Sequence, residues 1–194
     1  MKNVLVIGST GQIGSELTMK IRKMCPEGNV VAGYIKGAEP KGILLESGPA
    51  AEADVCNGEQ LLGIVKKYNI DTIYNLAALL SAVGGEKKPQ LAWHIQIDGL
   101  MNILEIAREN NVAVFTPSSI GSFGPETPHQ DTPQDTIQRP RSMYGVTKVA
   151  TELLSDYYHT KYGVDTRSVR FPGLISNVTL PGGGTTDYAV EIYY

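Results

Sequence analysis

The sequence predicts an α/β domain: a doubly wound parallel sheet with helices on both faces. Three observations point to it. Short β-branched runs alternate with longer helical patterns, the alternation that builds parallel sheets. The strand candidates VLVI and TIYNL are near-continuous apolar runs, as strands buried on both faces should be. The first strand also runs through a glycine-rich turn, GSTGQIG at residues 8–14, into the first helix.

The elements follow in chain order. Residues 3–7 read as the first strand, after which Ile13, Leu17, Ile21 and Met24 recur at helical spacing. Residues 29–35 read as the second strand. Between 37 and 58 the chain is rich in Gly, Ala, Pro and Glu, and 42–45 and 53–56 are expected to be short extended pieces. Residues 60–68 read as a helix and 70–76 as a strand. Residues 89–109 form a long helical pattern with Leu100, Ile103, Leu104 and Ala107 on one face. Residues 112–116 read as a strand stopped by Pro117. The stretch 124–141, with prolines at 125, 128, 133 and 140, reads as a surface loop. Residues 142–162 are helical, with Val146, Val149, Ala150, Leu153 and Tyr157 on one face. Residues 165–171 make the last clear strand, broken by Pro172 and Gly173. The expected strand order is 3-2-1-4-5-6. No repeat, low-complexity segment or linker divides the chain.

Composition excludes several classes. A length of 194 residues, 42% hydrophobic and 19% charged, describes a globular chain of about one domain. A net charge of -3 leaves no basic footprint for nucleic acid. No apolar run approaches the roughly 18 residues that span a membrane. The opening MKNVLVIG has no cleavage-site pattern, which reads against a secretory signal. Cys25 and Cys56 have no CxxC partners, and His94, His129 and His159 lack metal-ligand spacing, so neither a disulfide framework nor a metal is expected. A reducing, cytoplasmic setting fits.

The turn Gly8-x-x-Gly11-x-x-Gly14 leads from strand to helix. There, backbone can approach a pyrophosphate and the helix dipole meets its charge. Gly8, Gly11, Gln12, Ile13 and Gly14 are therefore candidate dinucleotide contacts in a Rossmann-type domain. An acidic residue is expected about 20 residues on, to hold the adenosine ribose. Tyr34 stands there instead, and nearby Lys36 could favour a 2′-phosphate, so NAD and NADP both remain open. Asp54 and Val55 lie where a loop could reach adenine, although a solvated aspartate reads nearly as well.

SMYGVTK puts Tyr144 and Lys148 four apart at the start of a helix, on one face. A nearby ammonium lowers a phenol's pKa, so the pair can take a proton from an alcohol as hydride leaves the same carbon. PSSIGSFG follows the fifth strand, at the sheet edge where ligands of such folds bind. Ser118 and Ser119 sit there, and a serine hydroxyl can orient a substrate oxygen.

The glycine motif, the strand-five serine and Tyr-x-x-x-Lys, in this order, resemble the extended short-chain dehydrogenase/reductase superfamily. NLAALLSA at 75–82 is similar to the segment that this superfamily places against its cofactor, which implies roles for Leu76, Ala77 and Ala78. Nucleotide-sugar epimerases and dehydratases carry Arg-Tyr-Phe-Asn after strand six, where this chain has Arg170-Phe171-Pro172-Gly173. AALLSA, EKKPQLAW, TPSSIGSFGPETP and PGGGTTDYAVEIYY instead resemble the short-chain L-threonine 3-dehydrogenase family along essentially the whole chain.

That resemblance implies NAD-dependent oxidation of L-threonine at C3 to 2-amino-3-ketobutyrate. Tyr144 would be the base, Ser119 would orient the hydroxyl, and Lys148 would hold the nicotinamide ribose. Pro172 would face the cofactor. Ser81, Gly184, Thr185 and Thr186 would close around the amino acid. It also implies a homodimer formed through the helices at 89–109 and 142–162.

The chain departs from the family at Tyr34, where Asp is usual, and at Gln96 and Asp98, where Asn residues are usual. The family also continues well beyond residue 194. The expectation is a nucleotide-binding domain over 1–175, incomplete at its C-terminal end, and the truncated start of a substrate-binding region over 176–194. Two alternatives stay open: a nucleotide-sugar epimerase or dehydratase, and a catalytically inactive NAD-binding fragment.

Overall fold

The computed structural model describes residues 2–79 and 86–174. Its first strand, β1 (Val4–Ile7), is the centre of the sheet and is buried throughout. Strand β2 (Val30–Tyr34) pairs parallel to it on one side and β4 (Thr72–Asn75) on the other. Strand β3 (Ala50–Glu52) extends the sheet beyond β2, and β5 (Ala113–Phe115) beyond β4. The order is β3-β2-β1-β4-β5-β7, with β7 at Thr166–Arg167. This is the expected doubly wound parallel sheet.

The expected strand at 165–171 is divided, and a short strand not expected from the sequence lies beyond Pro117. β5 is followed by β6 (Ser118–Ser119), and β7 by β8 (Arg170–Phe171), which pair with each other as a separate two-stranded sheet. Pro117 is the cause, because proline has no N–H to give to a ladder. The bonds on either side of it persist: Thr116 N–H donates to the Arg167 carbonyl and Ser118 N–H to the Val169 carbonyl.

Alternation along β1 supplies two cores. Leu5 and Ile7 pack with Leu61, Ile64, Ile73, Leu100, Ile103 and Leu104. Those partners come from the sheet and from α3 (Gly58–Tyr68) and α5 (Gly99–Asn110). Val4 and Val6 face a smaller cluster with Ile21 of α1 (Gln12–Met24) and Val30. The expected extended piece at 42–45 is instead a one-turn helix, α2 (Ile43–Glu46), and the β3 strand lies at 50–52 rather than 53–56. The composition of 37–58 gave neither period clearly, and β3 is specified by its pairing to β2 rather than by an apolar run.

The long helical pattern at 89–109 is also divided. A short helix, α4 (Pro89–Trp93), passes through one π-helical turn, His94–Asp98, into α5. Helix α6 (Met143–Tyr162) begins with the Ser142 hydroxyl accepting from Gly145 N–H and ends at Gly163, whose φ is 72°.

Candidate active site

The glycine turn is built for close approach. Gly8 has φ +78°, and a Cβ there would lie 3.2 Å from the Leu76 carbonyl carbon. A Cβ on Gly14 would come within 2.0 Å of the Gly8 oxygen, so only glycine lets α1 start against the turn. The Gly8 and Ser9 N–H groups both donate to the Gly33 carbonyl, tying the turn to the end of β2. The first-turn N–H groups of a helix lack intrahelical partners. Among the described residues no side chain caps this end of α1, and its first turn carries no acidic residue. A pyrophosphate fits that end, with Gln12 and Ile13 at its first positions.

Other candidates surround it. Leu76 N–H donates to the Ile7 carbonyl and Ala77 N–H to the buried Asn75 side chain, so this segment follows β4 directly alongside the glycine turn. Ala78 is half-buried just beyond. Tyr34 ends β2 half-buried, opposite Glu52 of β3. The Asp54 carboxylate accepts from Cys56 N–H at 2.9 Å in a local turn. Val55 is a core residue, and a Cβ on Gly99 would meet its side chain at 2.7 Å. Pro172 lies between Phe171 and Leu174, which share a hollow of about 990 Å³ with Gln12, Ile13 and the outer side of α1. Ser81, Gly184, Thr185 and Thr186 lie outside the described residues.

Ser119, Tyr144 and Lys148 come together at the carboxyl end of the sheet. Lys148 is buried, its Nζ donating to the Pro117 carbonyl at 2.7 Å and lying 5.4 Å from the centroid of the Tyr144 ring. The Tyr144 ring and the Ser119 hydroxyl both border Gly121, and the Ser119 hydroxyl accepts from Gly121 N–H at 3.1 Å. Two glycines make room: a Cβ on Gly121 would be 3.2 Å from the Tyr144 ring, and one on Gly145 would be 2.3 Å from the Gly121 oxygen. Met143 N–H donates to Glu86 at 2.7 Å, which holds the chain just after residue 85 beside the start of α6.

The electrostatics correct one expectation. Burial raises the Tyr144 phenol pKa, and the nearby Ser119 hydroxyl works against that rise. Lys148 does not lower it here, because its ammonium is itself desolvated and is turned to the Pro117 carbonyl. Burial pulls the Lys148 ammonium down to about 8, against the opposing charge of Glu152.

Glu152 and Thr147 escaped the sequence reading, which noted Gln96 only as a departure from the family. Glu152 lies one turn beyond Lys148 and is paired with Arg170 at 2.7 Å. Gln96, in the π-helical turn, is 3% exposed; its amide nitrogen donates to the Thr147 hydroxyl, and its Oε1 has no partner among the described residues. Thr147 in turn donates to the Tyr144 carbonyl at 2.8 Å. A π-turn inside a helix often marks a functional site, but it has no sequence period that reveals it.

The chain belongs to the NAD dependent epimerase/dehydratase family, whose pattern matches residues 4–187. It is 57% identical to the L-threonine dehydrogenase of Clostridium difficile, with a TM-score of 0.93, over 100% of this chain and 60% of that one. A GalE-like L-threonine dehydrogenase from Cupriavidus necator, in its holo form, is 42% identical with a TM-score of 0.92, over 100% of this chain and 61% of that one. An uncharacterised epimerase/dehydratase of Staphylococcus haemolyticus is 55% identical over 100% of this chain and 60% of its own length. The chain thus spans about 60% of the length of these relatives. Among the described residues no helix is long and apolar enough to cross a membrane.

Proposed function

We propose that the full-length protein oxidises L-threonine at C3 to 2-amino-3-ketobutyrate with NAD. The observation that carries this reading is the meeting of Ser119, Tyr144 and Lys148 at the carboxyl end of the sheet. Its similarity to proteins described as L-threonine dehydrogenases supports threonine as the substrate.

The glycine turn and the start of α1 hold the pyrophosphate. Tyr34 would meet the adenosine ribose, and Lys148 would hold the nicotinamide ribose. Leu76, Ala77, Ala78 and Pro172 flank the cofactor. Ser81, Gly184, Thr185 and Thr186 hold the amino acid. When bound, the oxidised nicotinamide would supply the hydride acceptor and a positive charge. Ser119 orients the C3 hydroxyl. Tyr144, as phenolate, takes the hydroxyl proton while the C3–H bond breaks with its electron pair and the C–O bond becomes a carbonyl. Burial raises the free phenol's pKa, so the base forms most readily once a positive charge is beside it.

Nucleotide-sugar chemistry would use the same Tyr-Lys pair. Incubating full-length protein and NAD with L-threonine, and separately with UDP-galactose, distinguishes the two. The expected result is reduced nicotinamide with threonine alone. Turnover of UDP-galactose without threonine oxidation would overturn the proposal.

A further inference from the structure

Three successive residues, Pro117, Ser118 and Ser119, meet three residues of α6 spaced one turn apart. The Pro117 carbonyl accepts from Lys148, the Ser118 hydroxyl donates to the Glu152 carboxylate, and the Ser119 hydroxyl stands beside the Tyr144 ring. Tyr144, Lys148 and Glu152 form one helical stripe. The proposed chemistry uses the first two and leaves Glu152 without a part.

The Glu152 carboxylate is heavily engaged. Arg170 approaches it as a fork, with Nε at 2.9 Å from Oε1 and NH2 at 2.7 Å from Oε2, and the Gln138 amide donates to Oε2 at 3.0 Å. Ser118 and Arg170 are direct register partners in the β6–β8 pair. One carboxylate therefore grips both strands of the β6–β8 pair, of which β6 carries Ser119. Arg170 also donates to the Gln134 carbonyl at 2.8 Å, fastening the proline-rich loop to the same point. Both partners are largely buried, at 17% and 15% side-chain exposure. A buried ion pair is often no more stabilising than an apolar replacement, so its geometry suggests a different use.

We propose that Glu152 is a positioning residue: it fixes β6 at the height where Ser119 meets Tyr144, and it places a negative charge one turn from Lys148. The charge matters because burial disfavours the Lys148 ammonium and Glu152 opposes that effect. The groups around Lys148 are Tyr144 and Glu152 from α6 and the Pro117 carbonyl from the sheet edge. Arg170 of β8 and Gln138 of the loop bear on it through Glu152. The catalytic readout rests on the dehydrogenase reading; the titration readout does not.

The test is Glu152→Gln in the full-length protein. Glutamine keeps the shape but removes the charge and turns one acceptor into a donor facing Arg170 or Gln138. Lys148 is followed by NMR through isotope-labelled methyl groups on its amine. Its ammonium is expected to titrate about half a pH unit lower, with kcat for threonine reduced roughly tenfold and KM for NAD within about twofold. Unchanged titration and unchanged kcat in a folded variant would overturn the proposal. If wild-type protein oxidises no threonine, the dehydrogenase reading fails and the Lys148 titration alone decides this one. If Glu152→Gln does not fold, Glu152→Asp keeps the charge on a shorter arm. Lys148 should then titrate as in wild type, with kcat reduced about threefold or more. A wild-type kcat in Glu152→Asp would overturn the positioning role.

Discussion

Lys148 is the residue at which function and stability oppose each other most openly. Lys148 is 6% exposed, and burial pulls its ammonium from 10.5 down to about 8 by disfavouring its charge. The folded protein therefore holds this proton less tightly than the unfolded chain does. Below about 8 the buried charge costs stability; as pH rises from there toward 10.5, that cost disappears. Lys148→Met is expected to melt higher than wild type at neutral pH and to lose that advantage on the alkaline side, while losing activity. A lower melting temperature at every pH would show that the bond to Pro117 outweighs desolvation.

At the scale of elements, α6 inverts the usual arrangement. Its buried positions are Gly145, Thr147, Lys148, Thr151, Ser155 and Tyr158, mostly polar and satisfied by local bonds. Val146, Leu153 and Tyr157, legible in the sequence as an apolar face, are exposed. Periodicity found the stripe but could not say which way it faces, because the polar side is occupied by the active-site residues and their supports. We propose that the apolar stripe is covered by a second copy in a homodimer. Leu153→Asp is expected to convert a sedimenting dimer of full-length protein into monomer. A wild-type protein that sediments as a strict monomer would remove the proposal.

Across the whole molecule, the sheet was legible because parallel strands buried on both faces announce themselves as apolar runs, and β1, β2, β4 and β5 each do. The glycine turn was legible because Gly8 and Gly14 answer steric demands that no other residue meets. What was not legible depends on distant partners. β3 exists by pairing to β2, the β6–β8 pair by interruption at Pro117, and the Glu152–Arg170 fork by bringing together residues 18 apart. Tyr144 and Lys148 could be found from spacing. The direction of their pKa shifts could not, since it follows from burial that only the fold creates.

The proposed reaction removes hydride from C3 of threonine. The most direct measurement supplies full-length protein and NAD with L-threonine deuterated at C3. The account predicts deuterium in the reduced nicotinamide, slower turnover than with unlabelled threonine, and an amino ketone as product. Nicotinamide reduced without deuterium, or no threonine-dependent reduction at all, would contradict it.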